Sequence, residues 1–255
     1  MSEHIPLLPS QSLRLLTVNI HKGYTAFNRR FVLNELREAV RAVGSDLVFL
    51  QEVEGASGSA SAAVGAQYEF LADQLWPDHA YGRNAVAAGQ DHGNAVLSRL
   101  PLLYSCNHDI SLPGVEPRGL LHCVLGRPAG LPELHVMCVH LGLTEIHRRH
   151  QLAKLCETVL RDVPAAAPLV VAGDFNDWRS RADALLAPCG LIEVFRHAKG
   201  HHARTFPARR PLLRLDRIYV RGIAAYRPLP MPRRPWNHLS DHAPLAAELE
   251  LDERP

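Results

Sequence analysis

No stretch of this chain stays apolar for the about 20 residues that a bilayer-spanning helix needs, so no transmembrane segment is expected. The opening "MSEHIPLLPSQS" lacks the basic patch and long apolar run of a secretion signal, and none is expected there. No Ser/Gly-rich or Pro-rich linker divides the sequence. The small-residue stretch "EGASGSASAAVGAQ", 54 to 67, reads as a surface loop inside a domain. The expected organisation is an N-terminal extension, 1–12, followed by a single domain, 13–252.

Cysteine is scarce and unpatterned. Cys106, Cys123, Cys138, Cys156 and Cys189 make an odd count with no C-x-x-C spacing, which argues against a disulfide framework and a cysteine zinc site. Cys123 and Cys138 sit in apolar runs and read as buried thiols, so a reducing, cytoplasmic setting is expected. A surplus of one charge is missing too. The net charge of +2 is too mild to announce a nucleic-acid partner and no obstacle to one. The histidines are many, 15, but scattered.

What is present is a core and an alternating plan. Hydrophobic residues make up 47% of the chain, enough for a well-buried globular interior. "LRLLTVNI", 13 to 20, reads as a strand. From 29 to 43, Phe31, Val32, Leu36, Val40 and Val43 recur at helical spacing. "DLVFL", 46 to 50, is a strand apolar on both faces, and it ends in Gln51-Glu52. The second half follows the same plan. "LHVMCVHL" (134–141) is a strand, Leu152, Leu155, Cys156 and Val159 mark a helix over 144–161, and "PLVVA" runs into Gly173-Asp174. Shorter strands are expected over 79–127, at 213–221 and at 243–251. The pattern gives an α/β or α+β fold with two sheets packed face to face.

Polar residues collect at the ends of these strands: Asn19, Glu52, His140, Asp174, Asn176, Asp216, Asp241 and His242. Strand termini are where α/β sheets build sites. Glu52, Asn19 and Asp241 offer hard oxygen atoms suited to magnesium or manganese. Asp216 and His242 suit a pair in which a carboxylate orients an imidazole. Asp174 and Asn176, two apart in a turn, are placed to hold a water. Each also has a plain structural reading. "GDFND" can cap a helix near Trp178, Asp216 can pair with Arg214 or Arg217, and His140 alone reads as a core histidine.

The motifs "TVNI" (17–20), "LQEV" (50–53), "GNAVLSRLP" (93–101), Arg118 in "EPRGLL", "VHLG" (139–142), "GDFND" (173–177), "LDRIYV" (215–220) and "SDHAPL" (240–245) follow one another over nearly the whole chain. In that order they resemble the endonuclease/exonuclease/phosphatase superfamily, the deoxyribonuclease I-like fold. The resemblance implies a four-layered α/β/β/α sandwich with two mixed central sheets. It implies a divalent-metal-dependent phosphoesterase using Mg2+ or Mn2+. Glu52 would bind the metal, assisted by Asn19 and Asp241. Asp174 and Asn176 would position and activate the water, and Asp216 with His242 would serve proton transfer and phosphate stabilisation. His140 occupies a position that is histidine in deoxyribonuclease I and sphingomyelinases and tyrosine in the apurinic endonucleases. The expected reaction is one in-line attack: His242 or Asp174 takes the water's proton, and the metal, His140 and Arg118 offset the oxyanion.

Substrate choice lies in loops. Arg148, on the inward face of the helix from 144, either binds substrate phosphate or snorkels at the helix end. "HHARTFPARR" (201–210) and the Arg233, Arg234, Trp236 loop (226–239) suit a phosphate backbone, a base or a membrane interface. Nucleic acid is the first expectation, a phospholipid headgroup or another small phosphate ester the second. A non-catalytic binding module on the same fold is the third.

Overall fold

The computed structural model describes residues 11–26, 29–55, 65–72, 75–87, 90–128 and 130–252. The first unit along the chain is β1 (Gln11–Asn19), α1 (Leu33–Val43) and β2 (Leu47–Glu54). α1 forms because Leu33, Leu36, Ala39 and Val40 make one buried stripe, and it stops at Gly44, whose φ of 63° closes a left-handed C-cap. The helix carries the chain back so that β1 and β2 pair in parallel. α2 (Gln67–Ala72) then leads to the antiparallel β3 (Asp78–Ala87), β4 (Gln90–Ser98), β5 (Leu102–Asp109), β6 (Gly119–Leu125) and β7 (Leu134–His140). A second parallel unit follows: β7, α3 (Glu145–Asp162) and β8 (Leu169–Asp174). α3 starts where the Thr144 hydroxyl accepts the His147 N–H. The chain closes with α4 (Ala182–Leu186), the short β9 (Ile192–Glu193), α5 (Val194–Lys199), β10 (Asp216–Arg221), β11 (Ala225–Leu229), α6 (Trp236–Leu239) and β12 (Leu245–Leu251).

Two six-stranded mixed sheets result, in the orders β11-β12-β1-β2-β4-β3 and β5-β6-β7-β8-β10-β9. Leu15, Phe49, Val96, Val136, Val170 and Ile218 are among the side chains that meet between them. Leu36, Val40, Trp76 and Trp236 cover the outside of the first sheet, and Leu152, Leu155, Val159 and Phe175 the outside of the second. This is the four-layered sandwich, with the paired strand–helix–strand units at its centre. Among the described residues no helix is long and apolar enough to cross a membrane.

Several boundaries differ from expectation. β2 runs past Gln51-Glu52 to Glu54, because a bulge between Leu50 and Val53 lets the strand continue while Glu52 takes φ 54°. β10 begins only at Asp216, since Leu213 instead bridges back to Phe206. Of the expected extension, 11 and 12 already belong to β1, while 1–10 lie outside the described residues. Most of the expected 54–67 loop, 56–64, also lies outside them; its ends close β2 and open α2.

Candidate active site

The two parallel units deliver the C-terminal ends of β1, β2, β7 and β8 to one edge of the sandwich. Across the second sheet, His140 is the register partner of Asp174, and Asp174 is the partner of Asp216. Three strands therefore place a histidine and two acids in one row. Asp174 Oδ2 is the focus of that row. It accepts from Asn19 Nδ2 at 3.2 Å and lies 3.5 Å from His140 Nε2 and 3.7 Å from His242 Nε2. His242 is held from its other side, with Nδ1 2.9 Å from Asp216 Oδ2.

Asn19 joins this buried half to a more open half. Its Nδ2 also donates to Glu52 Oε1 at 3.0 Å, and its Oδ1 accepts the His21 N–H. The carboxylates of Glu52 and Asp241 converge on His21 Nδ1, at 3.6 and 3.5 Å, and both side chains are 22% exposed. The five catalytic and three metal candidates thus form one continuous site.

The electrostatics separate the two halves. Burial alone would push His242 down, but the carboxylates of Asp216 and Asp174 override it and lift its pKa to about 10. The ring is an imidazolium between two acids. Asp174 is raised to about 6, chiefly by burial and against the pull of His242. His140 is driven well below the ordinary histidine value by burial and then by the nearby Arg118 charge, so it is neutral. Donor atoms of Asp174, Asp216 and His242 also lie within 4.8 Å of one another. There the proton on His242 already offsets one of the two acids. The Glu52 and Asp241 oxygens are the hard, accessible donors, and they fit a divalent cation with several open positions for water and phosphate. The nitrogen that His21 adds beside them is Nδ1, while its buried Nε2 on the other side of the ring makes no hydrogen bond.

The remaining candidates have more particular roles. Asn176, at φ 49°, folds back so that its N–H bonds Asp174 Oδ1 and its Nδ2 donates to the Leu141 carbonyl. Arg118 is buried and donates to Glu116 at 2.8 Å. Arg148 is buried too, but its guanidinium is turned onto the carbonyls of Gly142 and Leu143. It braces the loop after β7, and among the described residues no hydrogen bond or ion pair joins it to the acid–histidine row. The Asp216–Arg214 and Asp216–Arg217 pairings do not form. Arg217 instead donates to the carbonyls of Arg214, Asp216 and Asp177. The helix-cap reading of "GDFND" does not hold: residues 178–179 form a turn, α4 starts only at Ala182 with Arg181 before it, and Asp177 instead ties that turn by accepting the Ala182 N–H.

Three further residues of the site, His21, Ser240 and Thr205, have no individual role that the sequence announces, and Phe206 has only its place in the basic loop 201–210. His21 sits two places beyond Asn19, in a 3-10 turn where His21 and Lys22 both have positive φ. Ser240 donates to the Asn19 carbonyl and accepts the His242 N–H, which locks the "SDH" loop onto β1. Thr205 Oγ1 accepts the Asp216 N–H. The Phe206 ring packs against His242 at 5.1 Å. The sequence signals for these are His21's nearness to "TVN", Ser240's place inside "SDHAPL", and the place of Thr205 and Phe206 inside the basic loop "HHARTFPARR".

The family model described as "Endonuclease/Exonuclease/phosphatase family" matches residues 16–242, and the chain belongs to that family, which includes metal-dependent phosphoesterases. The chain is 54% identical to the Escherichia coli protein YbhP over 246 residues, 94% of this chain and 97% of YbhP. It is 28% identical to a UPF0294 protein of Vibrio cholerae, over 94% of this chain and 78% of that one. Among solved structures, an endonuclease/exonuclease/phosphatase from Beutenbergia cavernae superposes with a TM-score of 0.79 at 24% identity, covering 96% of this chain and 72% of its own. A truncated TDP2 of Caenorhabditis elegans gives 0.71 at 17%, covering 94% and 98%. At these identities the structures share the fold.

Proposed function

We propose that the protein is a divalent-metal-dependent phosphodiesterase that hydrolyses phosphodiester bonds of nucleic acid. The carrying observation is the convergence of Asn19, His140 and His242 on Asp174 Oδ2, with Asn19 linking that atom to Glu52. Asp174 is the base. It is the buried carboxylate whose proton affinity lies near neutrality, and it takes the proton of the attacking water. His242 already carries a proton, so it donates to a phosphate or leaving-group oxygen rather than accepting from water. Neutral His140 offers a second donor without competing as a cation. A divalent ion held by Glu52 and Asp241, with Asn19 beside them, supplies positive charge to a phosphate oxygen when bound.

Nucleic acid is favoured by the surroundings. Trp178, half exposed, lies just past the Asn176 turn with the Arg179 guanidinium stacked 4.6 Å from its ring. The loop bearing Arg204, Arg209 and Arg210 is anchored to the site by Ala208 N–H donating to the Asp241 carbonyl. Aromatic faces beside arginines suit bases and their backbone. A second reading, a phospholipid headgroup, rests on the exposed Leu143, Ile146, Leu212 and Leu213 in segments flanking His140 and Asp216.

Nicking of supercoiled plasmid in Mg2+, lost in EDTA and in Asp174→Ala, is the expected result. Intact plasmid together with metal-dependent release of headgroups from phospholipid vesicles would transfer the assignment to the lipid reading.

A further inference from the structure

A second set of metal-ligating side chains lies on the outer face of the second sheet. β5, β6 and β7 contribute one histidine each: His108, His122 and His135. Cys106 pairs with His122, and Val124 with His135, so the three histidines form a diagonal on the face that α3 covers. The His108 and His122 rings stack at 6.0 Å, and those of His122 and His135 at 5.2 Å. Asp162, the last residue of α3, closes the group. One ligand atom each from His108, His122 and Asp162 lies within 4.8 Å of the others. His135 and His140 stand at opposite ends of β7, about 16 Å apart along the strand and on opposite faces, so this cluster is separate from the candidate active site.

The spacing and chemistry suit one ion. His108 Nε2 is hidden from solvent and makes no hydrogen bond. It faces Asp162 Oδ2 at 3.7 Å, too long for a hydrogen bond. Two ligands on one tetrahedral zinc, each at about 2.0–2.1 Å, stand roughly 3.3 Å apart. His122 Nε2 lies 3.0 Å from His135 Nδ1. With His122 as donor its Nδ1 keeps a lone pair, and His135 fixes the tautomer as partners of metal-bound histidines do. Burial, then the other imidazoles, push His122 down to about 4, and burial lowers His108 and His135, so the rings are neutral ligands at pH 7. Asp162 is ionised; it accepts two hydrogen bonds from Arg161, which leave lone pairs on both oxygens. Apolar side chains would fill this face without hiding an unpaired ring nitrogen.

We propose that His108, His122 and Asp162 form a second metal site, for zinc or a borderline transition metal of its class, that ties β5 and β6 to the end of α3. Two nitrogens and one carboxylate select such an ion over magnesium.

The test uses the full chain stripped with EDTA and titrated with Zn2+ against a chromophoric chelator. Because the active site also offers ligands, Glu52→Gln is titrated alongside. The wild type and Glu52→Gln are expected to share one zinc equivalent that His122→Asn and Asp162→Asn each weaken at least tenfold. Zn2+ should raise the Tm of the first pair and not of the second. His108→Asn, on the edge strand β5, repeats the test should either variant misfold. Equal zinc stoichiometry and affinity in the wild type and in His108→Asn, or zinc binding that disappears in Glu52→Gln alone, would overturn the proposal.

Discussion

Asp216 Oδ2 and His242 Nδ1 stand 2.9 Å apart although 26 residues separate them in the chain. Asp216 opens β10, and His242 lies in the loop before β12, so the contact joins the two sheets. The arrangement is fixed from both ends: Thr205 receives the Asp216 N–H and Ser240 the His242 N–H. Asp216 Oδ1 is buried without a partner, so the carboxylate is committed to the histidine through one oxygen. The consequence is an imidazolium whose Nε2 is aimed at Asp174.

Replacing that carboxylate tests the consequence. Asp216→Asn keeps the shape and removes the charge that holds the proton on His242. Metal-dependent ester hydrolysis is expected to fall about 10²–10⁴-fold, mostly in kcat, because the ground-state phosphate contacts remain. Steady-state kinetics check it. A variant that retains wild-type kcat would show that His242 acts without its partner.

The same pair makes stability depend on pH. The folded-state pKa of His242, about 10, lies above its ordinary value of 6.5, so folding is favoured by its protonation. The contribution is fully present below pH 6.5 and is lost as pH rises toward 10. Asp174, raised from 3.8 to about 6, acts in the same direction over the lower range. Urea midpoints in metal-free buffer should therefore fall between pH 6.5 and 9, with His242→Gln flattening the slope. An equal slope in both proteins would assign the pH dependence elsewhere.

Much of this site was legible because strand ends announce themselves. A doubly buried run such as Leu169–Ala172 has no use for polar tips, so Asp174 stood out, and the same logic found Asn19, Glu52 and His140. The facing of the two sheets followed from repeated strand–helix–strand units. What was hidden was conformation and partnership. Nothing in "LQEV" foretells a bulge that puts Glu52 at φ 54°. The spacing of Arg148 with Leu152, Leu155 and Val159 gives its inward face, but its hydrogen-bond direction is set by the carbonyls of Gly142 and Leu143, which pattern does not reveal. The diagonal of His108, His122 and His135 depends on register between three strands, and register is not written in any one of them.

The left-handed backbone at Glu52 allows function and stability to be pulled apart. A non-glycine residue there is strained by about 1–2 kcal/mol, and glycine would relieve this while adding backbone freedom worth roughly 0.5–1 kcal/mol to the unfolded chain. Glu52→Gly is therefore expected to change stability by no more than about 1.5 kcal/mol, the largest difference between those two effects. The same variant loses the carboxylate that faces Asp241 across His21. The Mg2+ concentration giving half-maximal activity should rise at least tenfold, read from activity titrations beside urea melts. Unchanged Mg2+ dependence would remove Glu52 from the metal site.

Gly173 carries the opposite expectation, because here the missing side chain is itself structural. It sits within β8 at φ 145°, and a Cβ added to it would lie 2.1 Å from the Val139 carbonyl oxygen on β7. That oxygen belongs to backbone inside a buried parallel pair, so it cannot swing aside as a side-chain tip would. Gly173→Ala must push β7 and β8 apart one residue before His140 and Asp174, which face each other in the next register position. A loss of about 2–4 kcal/mol is expected from the overpacking together with the strained φ. Activity should fall even at temperatures where the variant is folded, since the 3.5 Å approach of His140 to Asp174 depends on that spacing. Thermal melts and hydrolysis rates on the same preparation check both parts. A fully active, equally stable Gly173→Ala protein would mean that the close strand contact does not position the site.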